Sequence, residues 1–178
     1  MKYHELSDKA KETALDRCRY LQVDGYDWWA AEYEYLEQWM GELGFMDFAI
    51  SGFDLYHRTA KWVGHWEYRD IDFNQVPDDL KDLMLVLHKQ HTLLKMYDGD
   101  SRPYVSLIGR MPSVSCRNYD VAPEDILIED EIYEASKTVE PWIVDMLDNQ
   151  YEWLISDECV MEMIEANDYD FNERGERA

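Results

Sequence analysis

Read as an alternation of apolar and polar positions, the chain begins on a helical period. Leu6, Ala10, Ala14, Cys18 and Leu21 recur every three to four residues, the spacing that lines up one face of an α-helix. Ser7 stands where an N-cap hydroxyl would accept an orphan backbone N–H, and Asp8 suits the positive end of the helix dipole. Asp24-Gly25 predicts the stop. Two of the stripe residues are Ala, which leaves room for something large to pack closely. A second helix is expected from about Asp27 to Leu43. Trp29, Tyr33, Leu36, Met40 and Leu43 form its inner face, Trp28, Tyr35 and Trp39 widen it, and Gly44 closes it.

The period then drops to two. Phe48 and Ile50 alternate, Gly52 interrupts, and Phe53 and Leu55 resume on the other parity, which predicts a β-bulge. Trp62, Gly64, Trp66 and Tyr68 share one face of a following strand, giving a hairpin that turns near His57–Thr59. Pro77, Asp78 and Asp79 open a third helix. Its stripe is Leu80, Leu83, Met84, Leu87, His91 and Leu94, and Asp98-Gly99-Asp100 stops it. Two short strands are expected around a Met111-Pro112 turn. Pro123-Glu124-Asp125 reads as a helix start, continued by Ile132, Ala135, Val139, Trp142 and Met146. Ser156 caps a last helix to about Ala166, and Tyr169 to Asn172 forms a short strand or turn. The expected fold is α+β and a single globular domain over residues 1–178. It has a small antiparallel sheet of three to four strands, about five helices, and an acidic helical C-terminal third.

Composition supports a folded chain. Of 178 residues, 46% are apolar and 14% aromatic, enough to outweigh a formal charge of −22 as a sign of disorder. No apolar run reaches the ~18 residues of a membrane span, and the polar first 20 residues read against a secretory signal. The three cysteines, Cys18, Cys116 and Cys159, form no C-x-x-C pair, and a reducing cytoplasm fits them. Cys18 falls on the apolar stripe and reads as a small buried hydrophobe. The charge is uneven: residues 121–178 carry 18 acids and 3 bases. Such a surface repels phosphates and anionic membranes, so neither nucleic acid nor a membrane is an expected direct partner.

Candidate chemistry is sparse. His88 and His91 lie three apart with Lys89 between them, which is not the spacing of a helical zinc site. His91 is expected as a hydrogen-bonded core histidine. Asp168-x-Asp170-x-Asn172 opens like a calcium loop, but Glu173 occupies the position that needs Gly. His57 and His65, with Asp54 and Glu67, allow an acid–base pair to be written without any supporting motif. No catalytic residues, metal or cofactor are therefore expected. Between Val121 and Glu173 there are 17 acids and one base. Asp145, Asp148 and Glu152, then Glu158, Glu162 and Glu165, are three and four apart, so each set lies on one helix face at about 5–6 Å spacing. That is of the order of phosphate spacing on a single strand. Trp28, beside Trp29, cannot point wholly inward, and exposed aromatics are enriched at protein interfaces.

The opening Glu5-Leu6-Ser7-Asp8-Lys9-Ala10-Lys11-Glu12-Thr13-Ala14, followed by Asp24, Trp28 and Trp29, resembles a widespread family of uncharacterised bacteriophage and prophage proteins. Ile50-Ser51-Gly52-Phe53 and the ending Ala166-Asn167-Asp168-Tyr169-Asp170-Phe171, with Gly175, resemble the same family. The family often has a Gly-Asp-Gly-rich loop after S-G-F, where this chain has Asp54-Leu55-Tyr56-His57-Arg58-Thr59-Ala60. The resemblance implies a phage or mobile-element source in a bacterial host cytoplasm and assigns no catalytic residue. Together these readings predict a non-enzymatic acidic inhibitor. Its partner is a basic host protein, a nucleic-acid-binding effector or nuclease of a CRISPR or restriction system. Asp145, Asp148, Glu152, Glu158, Glu162, Glu165 and Trp28 are its expected contact residues. The alternatives are an antitoxin-like or regulatory module docking through aromatic surface, or an enzyme acting on a small defence-signalling molecule.

Overall fold

A computed structural model describes residues 1–25, 27–97, 103–108, 111–116 and 127–178. The side chains of residues 97, 103–104, 108 and 111–116 are outside that description. The chain is α+β and its contacts divide between two compact units: Ala31–Met146, and Met1–Ala30 with Leu147–Ala178.

The central unit is built on a four-stranded antiparallel sheet, β1 (Phe45–Asp54), β2 (Thr59–Glu67), β3 (Pro103–Ile108) and β4 (Met111–Cys116), in sequential order. The expected break in β1 is present at Ile50/Gly52, and a second register shift falls between Met46 and Ala49. There Asp47 takes a left-handed backbone. The hairpin turn is Leu55 to Arg58. It has no Gly pair, but Asp54 Oδ1 accepts from the His57 N–H at 2.9 Å and closes it. Edge strand β1 is blunted from outside. The Ile50 N–H donates at 3.4 Å to Glu37 on α2 (Ala30–Glu42), which occupies a donor that could otherwise pair with another chain.

One sheet face is apolar. Phe45, Phe48, Ile50, Ala60, Trp66, Val105 and Leu107 are buried there, and the Trp66 indole donates to the Leu43 carbonyl at 3.1 Å. Gly44 ends α2 with φ +98, and a Cβ there would lie 2.4 Å from the Glu67 carbonyl oxygen, so the expected helix-closing glycine is also a close-packing one. Helix α3 (Asp78–Tyr97) presents the expected stripe, with Leu80, Leu83, Met84, Leu87 and Leu94 fully buried. His91 departs from expectation. Its ring stacks on Tyr68 at 3.9 Å and 11°, and its buried Nδ1 has no hydrogen-bond partner. His88 sits edge-on to Phe73 at 5.1 Å and tilted to Trp66 at 5.5 Å, with Nε2 likewise unpartnered. Aromatic packing took the place of the expected hydrogen bond. Gln90, fully buried, accepts instead from the Ile128 N–H at 2.9 Å, just ahead of α4 (Glu129–Ser136).

Two further expectations are corrected. Met111 and Pro112 are not the turn but the first residues of β4, paired with Ile108 and Leu107. Pro112 is tolerated because β4 is an edge strand. The expected helix through Ile132 and Met146 is two helices, α4 and α5 (Val139–Leu154), broken at Lys137-Thr138. Pro141 has no N–H to donate to the Lys137 carbonyl four residues back, which forces the break and leaves Pro141 in the first turn of α5. The Asp98-Gly99-Asp100 stop and the Pro123-Glu124-Asp125 start fall outside the described residues.

The terminal unit pairs α1 (Asp8–Cys18) with α6 (Asp157–Ala166). Ala10, Ala14 and Cys18 of α1 meet Val160, Ile164, Tyr3, Leu6 and Phe171 in one buried cluster. The close neighbour anticipated from the two alanines is Gly175. Its φ is +79, and a Cβ built on it would lie 2.0 Å from the Ala10 carbonyl oxygen. The chain ends are joined as well. The Met1 ammonium donates to the Phe171 carbonyl at 2.9 Å, and the Phe171 N–H donates back to the Met1 carbonyl at 2.8 Å.

Helix α1 stops at Cys18, earlier than the Asp24-Gly25 signal. The next side chains are used elsewhere: Arg19 donates to the Ile155 carbonyl at 2.8 Å and Gln22 to that of Leu154 at 3.3 Å, groups that the end of α5 leaves unpaired. Ser7 is at the N-cap without a capping side-chain bond. Ser156 does cap α6, accepting from the Cys159 N–H at 3.2 Å. Among the described residues, no helix is long and apolar enough to cross a membrane.

Two predictions follow from this packing. Gly175→Ala should cost at least about 2 kcal/mol, from a left-handed backbone and a backbone clash that Ala10→Gly cannot relieve. Gly41→Ala, in α2 with nothing within 4 Å of the new Cβ, should be neutral or stabilising by up to about 1 kcal/mol. Urea melts of both variants check the signs. Second, burial lowers the affinity of His88 and His91 for protons; Asp70 opposes this at His88, while Lys95 and His88 add to it at His91. The unfolded chain therefore binds protons first, so stability is full above pH ~6.5 and falls as pH drops below it. Tm should decline from pH 7 to 5, a window above the carboxylate range, and His88→Phe should flatten that decline.

Candidate protein-binding surface

The acidic residues of the terminal unit sort into those that hold the fold and those that project from it. Lys2 Nζ is 2.9 Å from Asp168 and 3.2 Å from Asp170, so an ammonium sits where the calcium-loop pattern would have placed a metal. These two carboxylates in turn raise the affinity of Lys2 for its proton. Asn172 accepts from the Arg174 and Glu176 N–H groups at 2.9 and 3.1 Å and so closes the last turn. Arg17 pairs with Glu176 at 2.9 Å, and Arg19 bridges Asp16 and Asp157 at 3.1 and 2.7 Å. Exposed pairs of this kind contribute little each, about 0–1 kcal/mol. Their effect is to fix where the remaining charge points.

Those remaining charges stand on α6. Cys159, Val160 and Ile164 face the core, while Glu158, Glu162 and Glu165 are exposed on the far side. Residues at i, i+4 and i+7 share a face and span about 10 Å of helix. Among the described residues, the ion pairs of this unit use Asp16, Asp157, Asp168, Asp170 and Glu176, and not this row. Asp145 differs from the row. It belongs to the central unit, where it is ion-paired with Arg58 on the hairpin turn.

Three of the expected contact residues converge elsewhere in the terminal unit. Asp148 and Glu152 flank Tyr151 on one face of α5, and the Trp28 ring lies 5.6 Å from that of Tyr151, tilted by 53°. Trp29 stands nearly perpendicular to Trp28, at 5.8 Å and 82°. Trp28, Trp29 and Tyr151 are half-buried, while Tyr20, Asp24 and Glu152 are exposed. Burial pushes the Tyr151 phenol up, and Tyr20, Asp24 and Glu152 push it further. Tyr20, Asp24 and Tyr151 escaped sequence reasoning. Tyr20 and Asp24 follow the end of α1, where no period marks them, and Tyr151 reads as one more aromatic on a helix.

The acid–base pair that the sequence allowed exists in part. His57 Nδ1 is 2.7 Å from Asp54 Oδ2, and this contact holds the Asp54 carboxyl below its usual range. Both groups lie exposed on the hairpin turn, where Asp54 also accepts the backbone N–H, so the pair serves the turn. Among the described residues, no group of three or more His, Cys, Asp or Glu side chains could hold a metal ion. The arrangement as a whole can offer anionic and aromatic contacts to a cationic surface. No family model, curated protein or solved structure matches the chain.

Proposed function

We propose that the chain is a non-enzymatic binding protein that places an acidic helix in the basic surface of a nucleic-acid-handling protein. In a phage-borne setting it would inhibit a host defence effector, such as a CRISPR or restriction nuclease, by mimicking nucleic acid. One observation carries the reading: Glu158, Glu162 and Glu165 form a single exposed row on α6, while the cations of the terminal unit pair with other carboxylates. Like charges at these spacings cost a helix a few tenths of a kcal/mol per pair. A basic groove would relieve that repulsion on binding. Electrostatic matching would also speed encounter and select the partner.

A second reading, docking through aromatic surface, is supported by the Trp28, Trp29 and Tyr151 cluster. Salt separates the two, because screening at about 8 Å weakens a charge row steeply and apolar docking hardly at all. The immobilised chain should capture nucleic-acid-binding proteins from bacterial lysate at about 0.15 M salt and release them to added duplex DNA. The triple variant E158K/E162K/E165K should lose that capture by about tenfold or more. Capture that survives both the reversal and the DNA would overturn mimicry.

A further inference from the structure

We propose that Trp28, Trp29 and Tyr151, rimmed by Asp24, Glu152 and Tyr20, form a receptor for an arginine side chain of the partner protein. The inference deepens the proposed function, since it rests on the partner being basic, but it names a different set of contacts from the α6 row.

The argument is one of shape and charge. Two indoles at 82° and a phenol tilted 53° from one of them give three ring planes in different directions within 6 Å steps. A planar guanidinium can stack on one such plane and meet the edge of another, which an ammonium cannot do. Ring faces attract cations, most strongly for Trp. The rim supplies the counter-charge: Asp24 and Glu152 are exposed, and both act electrostatically on the Tyr151 hydroxyl. Exposed carboxylates beside the rings leave oxygens for the fork of N–H donors that a guanidinium presents. The chain uses the same pairing within itself, with Arg177 lying 4.1 Å over the Tyr169 ring. The backbone holds the rings in place. Tyr151 is on α5, and the segment entering α2 is preceded by the Arg19 and Gln22 bonds to the Ile155 and Leu154 carbonyls. The occupant is an arginine-bearing protein segment because the rim is anionic and the walls are flat. A nucleic acid base would meet the same rings but would bring phosphates against Asp24 and Glu152.

The test uses the full chain with capped hexa-arginine and hexa-lysine peptides at about 0.15 M salt, followed by calorimetry and by the indole N–H signals in NMR. Hexa-arginine should bind about tenfold more tightly than hexa-lysine, the scale of one well-formed cation–π contact with a carboxylate rim. The Trp28 and Trp29 indole signals should move first. Trp28→Leu should remove the preference, and so should D24N/E152Q, which leaves the rings and their packing intact. Equal binding of the two peptides without movement at those indoles would overturn the proposal. The α6 variant E158K/E162K/E165K separates it from the mimicry reading. That variant should weaken both peptides alike and keep the arginine preference. If the preference persists while lysate capture ignores the α6 reversal, mimicry fails and the arginine site stands. If capture depends on α6 but the peptides are not distinguished, the reverse holds.

Discussion

The terminal unit depends on one close approach, the backbone of Gly175 lying against the Ala10 carbonyl of α1. No side chain larger than hydrogen fits at residue 175, and small residues at 10 and 14 let Phe171 and α6 reach the helix. The Met1–Phe171 backbone pair then ties the two ends of the unit together. Everything that the unit shows to a partner follows from this docking. It turns Val160 and Ile164 inward, and helix geometry then sends Glu158, Glu162 and Glu165 outward. A looser contact would let α6 rotate, and the charge row would lose its direction before it lost its charge.

Charge in this chain is divided by pairing rather than by position in the sequence. The C-terminal third reads as one acidic block, but its members do different work. Asp168, Asp170 and Glu176 hold the chain ends through Lys2 and Arg17. Asp157 holds Arg19, which also bonds the last turn of α5. Asp145 meets Arg58 in the central unit, and Glu131 meets Lys89. A chain with 17 bases and 39 acids cannot pair them all. What matters for recognition is which acids are left outward, and that is set by the reach of a few long cations from α1 and the N-terminus.

Period and punctuation made most of the fold legible. The stripe of α3, the alternation of β2, the bulge after Ile50 and the Ser156 cap were all readable because each depends on neighbours within a few residues. The failures share a cause. Helix α1 stops early because Arg19 and Gln22 bond carbonyls more than 130 residues away, and no local signal reports that. Proline sits in β4 because the strand is an edge, a fact of topology. The break before α5 was legible in principle: Pro141 denies the Lys137 carbonyl its donor, and the period of apolar residues runs across the break and hides it. At the surface, the α6 row and Trp28 could be named from spacing alone. Their separation from Asp145, and the gathering of Tyr20, Asp24 and Tyr151 around Trp28, needed the tertiary arrangement.

The motifs that carry the phage-family resemblance bear on this division. Ala10, Ala14, Phe171 and Gly175 are core and close-packing residues, and Asp168 and Asp170 bind Lys2. Each has a structural reason to be what it is. A sequence pattern built on them therefore describes how the terminal unit closes, and it would be shared by proteins with different partners. The residues offered to a partner, Glu158, Glu162, Glu165, Asp24 and Glu152, are exposed and carry little of that packing. They can vary at small cost to the fold, since exposed substitutions away from caps and pairs usually change stability by less than about 0.5 kcal/mol. The scaffold and the binding surface are thus separable in this unit: one is fixed by the approach at Gly175, and the other is free to follow the partner.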